Sequence, residues 1–507
     1  MPRFRLITRV PIHPGSLQRA VDIIAAQGAN INRIHYDRRV DLQTVFWEIT
    51  CSDGAWSAIC HQLEELGYLR RRLDPVTSLN LTLRLPNRPG ALQSLLPHVT
   101  GHSAIITSIA FDDAGSMPDS MVLTVDIQEA ERARALVDAL SPHFEFEEIQ
   151  LDGLGDMSFY IQFARKLALC LPDPGESAVL DMVQEINRLE QDLNRLGANP
   201  QEVFNNVLEV ARTIHDTCND GFFADTQTFG LSPSVMLHCI QLPCGGNVFL
   251  FHTNDRCVML DTAYGAYHDD LMRLFAAEGL CVEQNLSHLI ISHADADHCG
   301  GAGYLPVPAM LHPATLATIR AENRAWGSPR EHLILESVYT KMIDAFSRCR
   351  PPTREQVSLL PSSSLRQRNG FPVLTSIDIG DLTFEILESP GGHQVGQIFL
   401  FCEDSGLLFT ADSLIPLHAI SAERSRYNRF ADSLLTSVNV DSALAKQERR
   451  GLLDIATEYE RRHGRSCTIL AGHGPVCALR NGRLEVVEPA PQRYTHSRAT
   501  VSNPSDG

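Results

Sequence analysis

Apolar residues fall at alternate positions in the first stretch of the chain, FRLITRVPI, and then at steps of three and four in PGSLQRAVDIIAAQGA. Alternation lines one face of a strand, and the three-four step lines one face of a helix. Two further alternating runs, INRIHYDRR and TVFWEITC, lead to a second helical run, AWSAICHQLEELGY. Residues 4–73 therefore read as strand, helix, strand, strand, helix. The pattern then repeats. LNLTLRLPNRPGALQSLLPHV follows the opening segment in order and in apolar phase, with Pro89-Gly90-Ala91-Leu92 answering Pro14-Gly15-Ser16-Leu17. Strands around SIAFDD and SMVLTVDIQ and a helix from ERARALVDAL complete the second copy. A repeat of this length is stronger support than either copy alone.

Between 177 and 217 the period is helical again. Val179, Met182, Ile186, Leu189, Leu193 and Leu196 alternate steps of three and four, which is the seam of a coiled coil. Gly197-Ala198-Asn199-Pro200 interrupts it, and Val203, Val207, Val210 and Ile214 continue on a second helix. A helical hairpin is expected, packed on the next domain or forming a dimer seam. From about 234 short β-rich runs take over: SVMLHCIQL, NVFLFHT and RCVMLDTA. After about 485 the chain turns rich in Pro and Ser, and a disordered tail is expected. The resulting division is 1–75, 76–152, a helical linker or hairpin at 153–230, a domain at 231–484, and a tail at 485–507.

Bulk properties narrow the classes. A chain of 507 residues exceeds one ordinary core. No long uncharged apolar run and no apolar segment with a cleavage site at the N-terminus is present, so neither a membrane span nor a secretory signal is expected. Thirteen cysteines stand singly without a CxxC pair, which fits reduced thiols and a cytoplasmic protein. A net charge of −18 argues against a nucleic-acid partner, whose phosphates call for basic surface.

The chemistry concentrates in LSHLIISHADADHCGGAGYL. The strand HLIIS runs straight into His293, Asp295, Asp297 and His298, and then into Gly-Gly. A turn after a strand can aim alternate side chains one way, which suits two adjacent ions. SPGGHQVGQIFLF puts His393 on a Gly-rich loop, GLLFTADSL puts Asp412 at a strand end, and CTILAGHGPV puts His473 at another. Asp261 in VMLDTA is placed to support the site from behind. Arg424, Arg426 and Arg429 follow Asp412 with Tyr427 and Asn428; they are candidates for receiving an anionic substrate or plain surface residues. Cys299 is singled out only by its place beside the motif.

These residues resemble the metallo-β-lactamase superfamily over about 234–480. The resemblance implies a sandwich of two sheets with helices on both outer faces and two metal ions at one edge. One ion would be held by His293, Asp295 and His393, the other by Asp297, His298 and His473, with Asp412 bridging them. Asp297 and Asp412 would take part in catalysis. The family's usual HxHxDH has Asp295 in place of its second histidine. A carboxylate there resembles the diiron branch of flavodiiron and oxygen-binding proteins. The N-terminal repeat resembles a pair of ACT domains, βαββαβ modules that bind amino acids. That likeness makes the neighbourhoods of His13–Leu17 and Asn87–Leu92 candidate effector contacts, against the plainer reading that their glycines permit a tight turn. The expected fold class is thus α/β with α+β: an αββα sandwich preceded by two ACT-like domains and a helical segment.

Four imidazoles and three carboxylates, against five and two in the hydrolase set, favour harder ions. Iron is expected first, with Zn or Mn as other occupants. The leading expectation is a diiron protein that binds or reduces O2 or NO under control of the repeat. The alternative is a dinuclear hydrolase of esters or phosphodiesters using a bridging hydroxide. Only about thirty residues follow His473, so no flavin module is expected there, and reduction would call for an electron-donor protein. A homodimer fits both the repeat and the heptad seam.

Overall fold

The computed structural model describes residues 2–36 apart from 12, 43–69, and 77–152 apart from 86, 87, 89, 103, 112–119, 128 and 129. Beyond these it describes 163, 167, 170, 183, 184, 186–188, 190 and 191, and 200–496 apart from 325, 327–334, 429–438 and 481. The chain divides into two compact units, Met1–Asn187 and Arg188–Gly507.

The first unit carries the repeat. Strand β1 (Arg3–Arg9), helix α1 (Ser16–Ala26), β2 (Asn30–His35), β3 (Thr44–Thr50) and α2 (Asp53–Glu65) form the first copy, with antiparallel order β1-β3-β2. A sixth element is represented among the described residues by one bridge, Thr8 to Leu69. The second copy is complete: β4 (Thr77–Arg84), α3 (Ala91–Gly101), β5 (Ile105–Phe111), β6 (Ser120–Ile127), α4 (Ala130–Leu140) and β7 (Phe146–Asp152), in the order β5-β6-β4-β7. Each copy buries its own core, around Trp47, Ile49 and Ile59 in the first and Leu81, Leu95 and Leu123 in the second.

The shared turn is equivalent in detail. Gly15 and Gly90 sit at the starts of α1 and α3 with φ of 82° and 88°, the left-handed region that favours glycine. Each turn is closed from behind, by the Ser16 N–H on the His13 carbonyl and the Ala91 N–H on the Arg88 carbonyl, both at 3.2 Å. Nothing lies within 4 Å of a side chain placed at either glycine, so backbone conformation alone selects them. Of the candidate effector contacts, Asn87 and Pro89 lie outside the described residues.

The turn of the expected hairpin and most of its first arm lie outside the described residues. Val183, Gln184, Ile186 and Asn187 are buried in the first unit, where the Gln184 amide donates to the Leu6 carbonyl at 3.0 Å. Val179, Met182, Leu189, Leu193 and Leu196 lie outside the described residues. The second arm is α5 (Pro200–Asp216) of the second unit, which buries Val207, Val210 and Ile214.

The second unit is a sandwich of two eight-stranded sheets, in agreement with the expected class. The first runs from β8 (Phe223–Ser232) through β9 (Val235–Gln241), β10 (Val248–Thr253), β11 (Cys257–Leu260), β12 (Leu286–Ile290) and β13 (Ala309–Leu311) to β14 (Val357–Leu359). Helix α6 (His268–Ala277) lies between β11 and β12 in the chain. The short helix α7 (Ala296–Cys299) follows β12, and α8 (Pro313–Ala321) and α9 (Leu335–Ser347) separate β13 from β14. The second sheet holds β15 (Arg366–Arg368), β16 (Phe371–Ile379), β17 (Leu382–Glu388), β18 (Ile398–Cys402), β19 (Leu407–Ala411), β20 (Thr468–Ala471), β21 (Cys477–Arg480) and β22 (Arg483–Val486), in sequence order. Helices α10 (Ala422–Asn428) and α11 (Ser442–His463) connect β19 to β20. Phe249 and Phe251 of one sheet meet Phe409 and Phe384 of the other edge to face. No helix among the described residues is long and apolar enough to cross a membrane.

The tail departs from expectation. Its Pro- and Ser-rich composition reads as disorder, yet β23 (Gln492–Thr495) pairs antiparallel with β8 and closes the edge of the first sheet. Tyr494 is buried, Arg493 donates to Asp225 at 2.6 Å, and His496 stacks on Phe222 and meets Asp270 at 2.9 Å. A few specific contacts override composition. The domain accordingly extends beyond 231–484, taking in α5, β8 and β23.

Tyr494→Ala should therefore cost about 3–5 kcal/mol, the usual loss for a buried aromatic, and lower the melting temperature of the full chain by several degrees. Thermal denaturation followed by circular dichroism measures this. An unchanged melt would show that the tail adds no stability.

Candidate metal centre

Strand direction brings the candidate ligands together. Strands β11 and β12 are parallel neighbours, as are β19 and β20. Strand β17 is antiparallel to β18 and β18 to β19, so β17 runs with β19. The C-terminal ends of all five thus reach one edge of the sandwich. Asp261 follows β11, His293 follows β12, His393 follows β17, Asp412 follows β19 and His473 follows β20. The sheets are tied there by the Ile398 N–H on the Ser292 carbonyl at 2.9 Å and the Asn247 N–H on the Gly472 carbonyl at 2.6 Å. The Asn247 amide also donates to the Ala471 and Gly474 carbonyls, which fixes the His473 turn.

All seven ligand candidates converge. His293, Asp295 and His393 form one group of donor atoms, and Asp297, His298 and His473 a second. Asp412 lies between them. Its Oδ1 is 3.3 Å from His298 Nε2, and its Oδ2 is 3.1 Å from His473 Nε2 and 3.8 Å from His393 Nε2. Within the groups, Asp295 Oδ2 is 3.6 Å from His293 Nε2 and 3.2 Å from His393 Nε2. Asp297 Oδ2 is 3.8 Å from His298 Nε2 and 3.5 Å from His473 Nε2.

These separations suit metal ions. Bonds of about 2.0–2.1 Å to a tetrahedral ion hold neighbouring donor atoms roughly 3.4 Å apart. Three of the converging atoms, His293 Nε2, His298 Nε2 and Asp412 Oδ1, are buried without a hydrogen-bond partner. Buried polar atoms are rarely left so, and atoms aimed at a shared centre explain it.

Asp261 sets which nitrogen faces that centre. Its fully buried carboxylate accepts from His298 Nδ1 at 2.8 Å and from the Ser292 N–H and hydroxyl, each at 2.7 Å. The Ser292 hydroxyl, its proton committed to Asp261, accepts from His293 Nδ1 at 2.9 Å. Both rings therefore carry hydrogen on Nδ1 and present Nε2 as the inward atom, the arrangement of carboxylate–histidine–metal relays. Holding this geometry costs backbone strain: Asp261, Ala263 and Ala411 all have positive φ, of 58°, 61° and 43°.

Glu448, on α11, was not legible in the sequence. It is fully buried, and its carboxylate accepts from the Ser389 hydroxyl, the Gly392 N–H at 2.6 Å and the Ser413 hydroxyl at 2.7 Å. One side chain thereby fastens the loop of His393 to the loop of Asp412. The signal in sequence would have been an acidic residue on an otherwise apolar helix face, which is indistinguishable there from a solvated one. Glycine allows the close approach: a Cβ at Gly472 would fall 2.0 Å from Asp412 Oδ1, and one at Gly246 would fall 2.6 Å from the His298 ring.

Asp295 has a partner that sequence spacing could not show. Arg324 reaches it with both prongs, Nε to Oδ1 and Nη2 to Oδ2, each at 3.1 Å. Gln394 adds a bond to Oδ1 at 2.8 Å. Burial pushes the Asp295 carboxyl up, but Arg324, His293 and His393 override it and hold it well below the usual carboxylate range. Burial likewise opposes charge on Asp412, His298 and His473. His473 and His298 nonetheless hold Asp412 well below its ordinary value, and the carboxylates raise both rings. His293 is lowered by burial and by His298. Carboxylates that stabilise a proton on these rings also attract a cation in its place.

Other expectations change. Arg424 is neither a surface residue nor an anion receiver: its buried guanidinium bonds the Gln241 and Leu242 carbonyls and Asp225. The side chains of Arg426, Tyr427 and Asn428, and Arg429 altogether, lie outside the description. The Cys299 thiol donates to the Ala294 carbonyl at 3.5 Å and braces the loop without joining the ligand groups.

Two substitutions probe the supports. Asp261→Ala should weaken metal binding by about 10–100-fold, as loss of a supporting carboxylate does, measured by competition with a coloured chelator. Unaltered affinity would remove Asp261 from the site. Glu448→Gln turns an amide N–H toward facing donors and should lower stability by about 1–3 kcal/mol, read from the urea midpoint of the full chain. No shift would mean that the two loops stand without it.

A family model described as the metallo-beta-lactamase superfamily matches residues 242–458, which includes every ligand candidate except His473. Solved metallo-beta-lactamases align with about half of the chain. That from Erythrobacter litoralis is 16% identical, covering 50% of this chain and 90% of its own, with a TM-score of 0.30. That from Pontibacter korlensis is 16% identical, covering 50% and 92%, at 0.29, and that from Hirschia baltica is 15% identical, covering 50% and 92%, at 0.30. No curated protein matches the sequence. Within the C-terminal unit, residues 242–458 match the metallo-beta-lactamase superfamily and carry groups of histidine and aspartate that could hold metal ions.

Proposed function

We propose that the C-terminal domain is a dinuclear metallo-hydrolase acting on an ester or phosphodiester, and that the N-terminal repeat is an ACT-like regulatory pair taking an amino-acid effector. The position of Asp412 carries the first part. One carboxylate faces the imidazoles of both donor groups, at 3.1–3.8 Å, so two cations held by those groups would share it. Bound there, two ions would activate water and polarise the scissile bond. His293, Asp295 and His393 would hold one and Asp297, His298 and His473 the other. Asp261 sets Nε2 as the inward nitrogen of His293 and His298, and Glu448 holds His393 and Asp412 in register.

The sequence argument for iron rests on the added negative charge of Asp295. That charge is met by Arg324 in a two-pronged ion pair, which weakens the preference and returns weight to the hydrolase. One observation keeps diiron chemistry with O2 or NO as the second reading: a carboxylate oxygen, Asp295 Oδ2, stands between His293 and His393, where a hard ion would find it. That reading calls for an electron-donor protein or a sensing role.

For the repeat, support comes from the two equivalent glycine turns and the complete βαββαβ order of the second copy.

The full-length protein should contain two divalent ions per chain by elemental analysis and hydrolyse bis(p-nitrophenyl) phosphate or p-nitrophenyl acetate. Asp412→Ala should reduce turnover by more than about a hundredfold, beyond the effect of losing a supporting residue. Iron-loaded protein that is inert to both substrates and gains a visible absorption band in air would establish the second reading instead. Protein that binds no metal would overturn both.

A further inference from the structure

The Asp295–Arg324 pair is built with care for a contact outside the ligand set. Both oxygens of the carboxylate meet the guanidinium at 3.1 Å, and the two side chains are only 18% and 10% exposed. Gln394 donates to the same carboxylate at 2.8 Å, while its own carbonyl accepts the Ala294 N–H at 2.7 Å, so the amide is locked in that orientation. Oδ2 still faces His293 and His393. A planar fork on a carboxylate is a demanding geometry that arginine meets and lysine does not.

Charge gives the pair its meaning. Four neutral imidazoles and the carboxylates of Asp295, Asp297 and Asp412 carry three negative charges. Arg324 returns one, leaving a total of two. A site with an imidazole at position 295 and no arginine would carry the same total. The aspartate and arginine together are thus electrically equivalent to one neutral histidine.

We propose that Arg324 is a specificity-determining residue of the metal centre: as the counter-ion of Asp295, it lets a carboxylate stand in an imidazole's place without changing the charge that the ions meet. The proposal rests on the dinuclear reading above and holds for either chemistry. It separates donor type from donor charge. Asp295 offers a hard oxygen, and Arg324 removes the excess charge that would otherwise draw ions of higher valence. A buried pair of this kind is exposed to one-sided loss: deleting either partner removes the opposite charge that the other faces beside the cations.

The test is a mutant cycle in the full-length protein, with zinc stoichiometry and dissociation constants read by chelator competition and folding checked by circular dichroism. Asp295→Asn removes the carboxylate charge that faces the guanidinium and should weaken one zinc by about a hundredfold, the upper end for a perturbed site. Asp295→Asn/Arg324→Gln removes both charges and should recover about tenfold or more of that loss. Arg324→Gln alone should raise the ratio of ferric iron to zinc retained from an equimolar mixture, and Arg324→Lys, which keeps the charge, should leave that ratio near the wild-type value. Rescue in the double variant supports the proposal. A double variant no better than Asp295→Asn, or Arg324→Lys that selects metals as Arg324→Gln does, overturns it and assigns Arg324 a bracing role. Wild-type protein that takes up fewer than two zinc ions overturns the dinuclear reading itself, and the wild-type titration distinguishes that failure from the others.

Discussion

A buried carboxylate can orient more than one histidine only if its hydrogen bonds are shared out, and Asp261 does this. It takes the His298 ring directly and the His293 ring through the Ser292 hydroxyl. Each donor lost would free a ring to turn its protonated nitrogen inward, where a cation would be repelled. The left-handed backbone at Asp261 is the strain accepted for aiming the side chain back under β12. Each donor group contains one of the two rings it orients, so the placement of both groups depends on it.

The rest of the centre is held by the same logic at larger scale. Parallel strand pairs deliver their ends to one edge, and side chains then lock the loops that follow them. Asn247 ties the His473 turn to the first sheet, and Glu448 ties the His393 and Asp412 loops to α11. Glycines at 246 and 472 let backbone lie where a methyl group would strike His298 or Asp412. Four imidazoles and three carboxylates share a small volume in which the outward atoms of His293, His298 and Asp295 are held by neighbours behind them.

Charge separates this centre from its usual form. Replacing an imidazole with a carboxylate normally alters both the donor and the net charge. Arg324 cancels the second change while leaving the first, so the motif at 293–298 and the arginine beyond α8 have to be read as one unit. The N-terminal unit contributes a different kind of order, a βαββα sequence of elements used twice, completed by a last strand in the second copy, with the same glycine-led helix start.

Much was legible in the chain itself. Alternating and three-four periodicities located the repeat and the sandwich strands, because burial of one face imposes those periods on any sequence. The seven ligand candidates were legible because each follows an apolar strand, and Asp261 stood out for the same reason. What the sequence did not determine depends on side chains that meet across long separations. Asp295 and Arg324 are joined only by the route of the chain through β13 and α8. Glu448 reads as one more charge on a polar helix until α11 packs it beneath two loops. The tail reads as disorder by composition, and only the open edge of β8, with Asp225 and Asp270 waiting beside it, turns residues 492–495 into a strand. Local periodicity is written in neighbouring residues, whereas charge pairing and edge closure are settled by the fold that brings distant ones together.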